Sequence, residues 1–193
     1  MEKYVDSVHA LARSNSVPGK TDLNSQSTDD MEIPEDGEIP QEMLDLVEAG
    51  YLIIDQDRNV SITQQYRDHV LTSPPTDSLG EEKTVTFVGE NTIVFTENAA
   101  SQAAGNVTKV TWHWWGYQLY LSSSYVYYLN TFINNGNIGM ASDFIGNFLP
   151  TFLSYPVALY IYYHQAVFYA ANKNQKGIIL KYIWGVPAGF RSQ

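Results

Sequence analysis

Residues 107–122 read VTKVTWHWWGYQLYLS, and this stretch decides the fold that we expect for the chain. Apolar and polar side chains alternate on both sides of Gly116, which is typical of two antiparallel strands joined by a tight turn. We place that turn near Trp115 and Gly116. The alternation assigns two sets of side chains to opposite faces of the first strand, Val110, Trp112 and Trp114 on one and Thr111, His113 and Trp115 on the other.

The same alternation recurs on either side of this stretch. Residues 51–63, YLIIDQDRNVSIT, predict strand, turn and strand, and residues 83–97, KTVTFVGENTIVFTE, predict a second hairpin. In the second hairpin we expect Val85, Phe87, Ile93 and Phe95 to lie on one side. Residues 177–184, GIILKYIW, predict a last strand. We expect the following residues, including Pro187 and Gly189, to form a tail outside the sheet.

Other segments have the apolar spacing of helices. We predict a short helix with Met43, Leu44, Val47 and Tyr51 on one face, a second over residues 64–71, and a longer one that starts at Ser123 or Ser124 and runs to Ile133. Gly50 and Gly136 are placed to end two of them.

The longest apolar stretch covers residues 144–171 and contains no Asp, Glu, Lys or Arg. We expect an apolar helical hairpin over residues 139–172, with Pro150 ending its first helix and Pro156 in the first turn of the second. A helix of about 16 residues spans about 24 Å, which is shorter than the roughly 30 Å hydrocarbon core of a bilayer. Neither half of the hairpin would span a membrane alone.

Charge divides the chain into two unlike halves. Residues 1–97 carry 20 acidic and 6 basic side chains, a balance of −14, whereas residues 98–193 carry one acidic and five basic side chains, a balance of +4. Residues 14–41 have a composition typical of a flexible linker.

We predict an α+β fold of antiparallel strands packed with short aromatic-rich helices, in three parts. These are a flexible acidic N-terminal segment (1–41), a small helix–hairpin–helix unit (42–80) and an aromatic-rich α+β domain (81–193).

The composition argues against several classes of function. An acidic chain is a poor partner for nucleic acid, because phosphate binding needs clustered Lys and Arg. The lack of cysteine excludes disulfides, thiolate zinc sites and cysteine catalysis. Asp55–Asn59 resembles the start of a calcium loop, but Val60 and Tyr66 stand where glycine and glutamate are required. We identify no catalytic, cofactor-binding or metal-binding residue, expect no enzyme, and find no signal peptide in the given sequence.

The aromatic residues are concentrated in the second half of the chain. All four tryptophans and eleven of the fourteen tyrosines follow Thr111. Three interpretations are open: a tyrosine-rich core, a membrane-active module, or a surface that stacks on sugar rings or peptide through Trp114, Trp115 and Tyr117.

Two runs carry a resemblance to a known group of proteins. TKVTWHWWGYQLYLS at residues 108–122 and KGIILKYIWGVPAGFRSQ at residues 176–193, with the hydrophobic stretch between them, resemble small secreted bacteriocin-like proteins of Gram-positive bacteria. The resemblance covers residues 107–193 and implies a secreted, non-enzymatic antimicrobial toxin that acts on bacterial membranes or the cell envelope.

The alternative function is an envelope-binding or assembly module that recognises a glycan, a protein partner or another copy of itself. For the membrane version we expect the acidic half to keep the aromatic half in solution and to swing away at the target. The residues that we expect to contact the membrane or partner are Trp112, Trp114, Trp115, Tyr117, Phe144, Phe148, Phe152, Tyr160, Tyr163, Lys173 and Lys176.

Overall fold

The fold is built from short helices and antiparallel strands. The computed structural model describes residues 37–72, 83–96 and 107–193. The helices in these residues are α1 (Gln41–Glu48), α2 (Gln64–Thr72), α3 (Ser123–Asn134), α4 (Ile138–Gly146), α5 (Thr151–Tyr163) and α6 (Gln165–Ala171). The strands are β1 (Leu52–Ile54), β2 (Val60–Ile62), β3 (Thr84–Val88), β4 (Thr92–Thr96), β5 (Thr108–His113), β6 (Gly116–Leu121), β7 (Ile178–Ile183) and β8 (Val186–Ser192).

Six of the strands form one antiparallel sheet in which each strand pairs with the next one along the chain. The order is β3–β4–β5–β6–β7–β8, and β1 and β2 form a separate hairpin. The helices α3 to α6 come between β6 and β7, which are still neighbours in the sheet. This arrangement confirms the predicted α+β class of antiparallel strands with short aromatic-rich helices. The predicted flexible segment, apart from residues 37–41, lies outside the described residues.

The hairpin pairs follow from the alternation in the sequence. Val85 lies opposite Phe95 and Phe87 opposite Ile93, so the four side chains share one side as predicted. At the β5–β6 turn Gly116 has φ +145°, and a Cβ added there would collide with the carbonyl oxygen of Tyr182 on β7. Only glycine lets the neighbouring strand approach this closely.

The hydrophobic core lies against one face of the six-stranded sheet. That face contributes buried side chains from β4 to β7, among them Ile93, Val110, Leu119 and Leu180. Helices α3 to α6 pack into the same core, and so do α1 and α2, which contribute the buried residues Met43, Leu46 and Tyr66. The described residues of the predicted helix–hairpin–helix unit therefore share one core with the sheet.

The predicted helical hairpin consists of three helices, and its second helix starts earlier than we expected. Pro150 directly precedes α5, whereas Pro156 lies inside that helix. The expected position of Pro156 in the first turn was wrong. A proline removes one backbone donor and crowds the carbonyl four residues earlier, here that of Phe152, and α5 continues past this defect. His164, with φ −115°, separates α5 from α6.

The expected tail outside the sheet was also wrong, because residues 186–192 form β8. This strand pairs with β7 along the edge of the sheet, with a register irregularity between Leu180 and Tyr182. Pro187 lies opposite Tyr182, and Gly189 has φ +114°. An edge strand tolerates a proline and an irregular glycine because one of its two sides needs no ladder hydrogen bonds.

Candidate functional site

Helix α5 carries an unusual exposed surface. Its five exposed side chains are Thr151, Phe152, Tyr155, Tyr162 and Tyr163, so four of the five are aromatic. Phe152, Tyr155 and Tyr163 are 43%, 52% and 58% exposed. Positions 152, 155, 159 and 162 are three or four residues apart, so they lie along one side of the helix. The opposite side of α5 carries the buried residues Leu153, Val157 and Ile161. The exposed residues run about 16 Å along the axis.

The neighbouring helices also expose large apolar side chains. Val167 and Tyr169 of α6 are exposed, and Tyr127 of α3 is the most exposed large hydrophobic side chain among the described residues. A hydrogen bond from Asn130 Nδ2 to Tyr169 Oη joins α3 to α6. We refer to the exposed side chains Phe152, Tyr155, Tyr162 and Tyr163 of α5 with Val167 and Tyr169 of α6 as the aromatic face.

The segment that contains the aromatic face carries no charged side chain. No Asp, Glu, Lys or Arg occurs in residues 144–172. Directly after α6 come Lys173 and Lys176, both exposed. A surface helix normally places charged side chains opposite its buried side, and α5 places aromatic rings there instead. Large exposed apolar patches on proteins mark contact with a partner or a membrane.

No helix among the described residues is both long enough and apolar enough to cross a membrane.

The sequence-predicted contact residues divide into three groups. Trp112, Trp115, Tyr117, Phe144 and Phe148 are buried. Trp114 and Tyr160 are half-buried, and Phe152, Tyr163, Lys173 and Lys176 are exposed.

The five buried residues pack against other aromatic rings in the interior. The ring centroids of Trp112 and Tyr117 are 5.3 Å apart, and those of Phe144 and Phe148 are 5.6 Å apart. Trp115 stacks on His113 with centroids 4.4 Å apart. These rings fill space between elements, so the contact surface that we propose does not include them.

Four residues of the aromatic face, Tyr155, Tyr162, Val167 and Tyr169, were missing from the contact residues predicted from the sequence. Tyr155 and Tyr162 follow Phe152 by three and ten residues, a spacing that places all three on the same side of a helix. The predicted helix started at Pro156 and therefore left Tyr155 outside it, and the sequence did not show which side of the helix is exposed.

A concave surface is formed by turns that lie outside helices α3 to α6. It is a cleft of about 390 Å³ between the β1–β2 turn (residues 55–60), the β3–β4 turn (90–91) and the end of β5 (112–114). Asp55 accepts hydrogen bonds from the backbone and side-chain nitrogens of Asn59 at 2.8 and 2.9 Å. These bonds lower the pKa of the Asp55 carboxyl, which remains ionised at neutral pH. This is the hairpin turn expected from the sequence.

His113 borders this cleft and is electrostatically unusual. Burial, and then the charge of Lys181, lower the pKa of its imidazole to about 4. The ring is therefore neutral at pH 7. Among the described residues, no group of three or more His, Cys, Asp or Glu side chains is arranged to hold a metal ion.

Comparison of the chain with protein-family models, curated proteins and solved structures finds no match.

Proposed function

We propose that the protein is a secreted, bacteriocin-like protein that acts by binding bacterial membranes or the cell envelope, with the aromatic face as its contact surface. One observation carries the membrane part: four of the five exposed side chains of α5 are aromatic, in a stretch without a charged residue. Secretion and the bacterial target rest on the resemblance of residues 107–193.

The composition of the aromatic face suits a bilayer interface better than a hydrocarbon core. Tyrosine places its ring among the acyl chains and its hydroxyl among the headgroups, which is why tyrosine and tryptophan are enriched at that depth. A helix that lies in the interface buries one side by several ångströms and does not need to span. Such binding requires no unfolding of the sheet.

The lysines after α6 supply an electrostatic contribution. Lys173 and Lys176 are exposed and directly follow α6, which carries Val167 and Tyr169. Each lysine near an anionic membrane surface contributes about 1 kcal/mol at physiological salt. We therefore propose a preference for anionic over neutral lipid.

Release of the whole acidic half is not part of this proposal. Met43, Leu46 and Tyr66 lie in the shared core, so moving α1 and α2 away would expose them. Membrane contact through the aromatic face leaves that packing intact.

Sedimentation with vesicles tests the proposal. We expect the full chain to bind phosphatidylglycerol-containing vesicles, and the triple variant Phe152→Ser, Tyr155→Ser, Tyr162→Ser to bind about tenfold more weakly, a loss of about 1.4 kcal/mol. The matched control is Leu44→Ser, Ile53→Ser, Leu71→Ser, which replaces three similarly exposed side chains outside helices α3 to α6. The absence of wild-type binding, or equal losses in both triple variants, would reject the membrane contact.

A further inference from the structure

The two edges of the six-stranded sheet are protected to different extents against pairing with a further strand. One edge is β8, which contains Pro187 and the exposed Arg191 and has an irregular register against β7. Proline, charge and irregularity are devices that prevent strand addition at a sheet edge. The other edge is β3, whose sequence TVTFV at residues 84–88 has neither proline nor charge. Of the two edges, β3 is therefore the one suited to accept a further strand.

The strand β3 is regular and accessible along its length. All five of its residues pair with β4 in one unbroken register. Thr84, Thr86 and Val88 are exposed, with Val88 at 54%. Val85 and Phe87, which alternate with them on the side of the core, are half-buried. A strand added beside β3 would therefore extend both the exposed side of the sheet and the side that faces the core.

The hydrogen-bond ladder shows which backbone groups of β3 point outward. The N–H of Trp112 donates to the carbonyl of Asn91 at 2.9 Å, and these two residues continue the β4–β5 register. Because bonded and non-bonded pairs alternate in an antiparallel ladder, β4 turns its odd-numbered residues toward β5 and its even-numbered residues, 92 to 96, toward β3. The partners of these even-numbered residues are Thr84, Thr86 and Val88. The N–H and C=O groups of Val85 and Phe87 therefore point away from the sheet.

A second copy of the chain fits these outward groups. When two β3 strands lie antiparallel about Thr86, Val85 of each copy faces Phe87 of the other, and the two pairs form four backbone hydrogen bonds between the copies. Each pair also places a β-branched side chain opposite an aromatic ring, and the two Thr86 side chains face each other, both of which stabilise a sheet. This register pairs all five residues of each strand, whereas a shift by two residues would pair three.

We propose that the protein forms a two-fold symmetric dimer in which the β3 strands of two copies pair and join their sheets. Such a pairing uses the β3 edge of both copies and closes at the dimer. The strand carries no charge, so two copies of it do not repel each other. A five-residue strand pair is a small interface, and we expect the dimer to dissociate on dilution. The aromatic face lies on helices α5 and α6 and takes no part in the pairing.

Cysteine cross-linking tests the pairing and its register, because the chain has no cysteine of its own. Directly opposed residues of a non-bonded pair have Cα atoms about 4.5 Å apart, within the range of a disulfide. Under a mild oxidant, Thr86→Cys should therefore form a covalent dimer. The matched control is Thr84→Cys on the same side of the same strand. Its equivalent in the other copy lies roughly 14 Å away, so it should cross-link at least about tenfold more slowly.

A mixture of two single variants checks the register further. Thr84→Cys mixed with Val88→Cys should give a covalent heterodimer, because these positions face each other across the interface. Equal cross-linking of Thr84→Cys and Thr86→Cys on their own, or none at position 86, would overturn the proposed pairing.

The backbone contribution is tested at position 85. In the Thr86→Cys background, Val85→Pro removes an outward N–H but no donor of the ladder to β4, so cross-linking should fall at least about tenfold. Val85→Thr keeps that N–H and should cross-link as Thr86→Cys alone does. Undiminished cross-linking in Val85→Pro would contradict the pairing, and the comparison of positions 84 and 86 decides the question if this variant does not fold. The triple variant of the aromatic face should cross-link normally without vesicles, so failure of one proposal leaves the other standing.

Discussion

The surroundings of His113 strongly alter its chemistry. Its ring lies parallel to that of Trp115, at an angle of 6°. The folded-state pKa of about 4 lies below the ordinary histidine value of about 6.5. Between these two pH values the unfolded chain binds a proton that the folded chain does not, so the free energy of unfolding falls as the pH is lowered through this window.

We therefore expect the wild type to lose about 1 kcal/mol of stability between about pH 7.5 and about pH 5, a value reduced for the partial exposure of the ring. Urea unfolding at the two pH values measures the loss. His113→Gln should show a much smaller difference between them, whatever its overall stability. Equal pH dependence in both proteins would contradict the assigned cause.

Gln193 joins the residue before β5 to strands β6 and β7 through one side chain. Its Nε2 donates to the carbonyls of Val107, Leu121 and Ile178 at 2.9, 2.8 and 3.2 Å, and its Oε1 accepts from the backbone of Val107 at 3.1 Å. Gln193→Ala should cost about 2 kcal/mol, because partly buried backbone groups lose their partners. Gln64→Ala, which removes only an exposed helical hydrogen bond to Asp68, should stay within about 0.5 kcal/mol in the same denaturant titration. Similar losses in the two variants would contradict the role given to Gln193.

At the scale of elements, the hairpins were predictable because their evidence is local. A few neighbouring positions are enough to show that Ile93 and Phe95 alternate with polar residues. The turn between two strands is equally short. The elements with prolines were not predictable in the same way. Pro187 is compatible with a strand only at a sheet edge, and the position of β8 at that edge depends on the rest of the fold.

The contact between α4 and α5 depends on small side chains. Ser142 and Ser154 form a buried hydrogen bond at 3.0 Å across it, and Ala158 is fully buried nearby in sequence. Ala158→Leu should therefore lower the free energy of unfolding by about 1–3 kcal/mol through overpacking. The control Ala166→Leu adds the same atoms at an exposed position of α6 and should change stability by less than about 0.5 kcal/mol. Thermal and urea unfolding would compare the two variants, and equal stabilities would contradict tight packing around Ala158.

The candidate site was only partly predictable from the sequence. The uncharged stretch and the density of tyrosine were visible, and they led to Phe152 and Tyr163. Burial separates those residues from Phe144 and Phe148, which are similar in type but face the interior. The cleft could not be predicted, since its walls come from turns that are far apart in the chain.

At the scale of the whole molecule, both electrostatic halves contribute to one core. Tyr66 lies against Trp112, with ring centroids 6.4 Å apart, and Phe95 lies against Phe148 at 5.1 Å. A fragment of residues 98–193 lacks Tyr66 and Phe95 and should lose cooperative thermal unfolding and bind a dye that reports exposed apolar surface. Near-ultraviolet circular dichroism and dye fluorescence would compare it with the full chain. A cooperative transition in the fragment would show that the aromatic half folds independently.

The lack of native cysteine makes a direct test of the aromatic face possible. Single variants Tyr155→Cys and Ile53→Cys place an environment-sensitive fluorophore at positions of similar exposure, on α5 and on β1. With vesicles that contain phosphatidylglycerol, we expect a blue shift and protection from an aqueous quencher at position 155, and no change at position 53. Equal responses at the two positions, or none at position 155, would contradict contact of the aromatic face with the membrane.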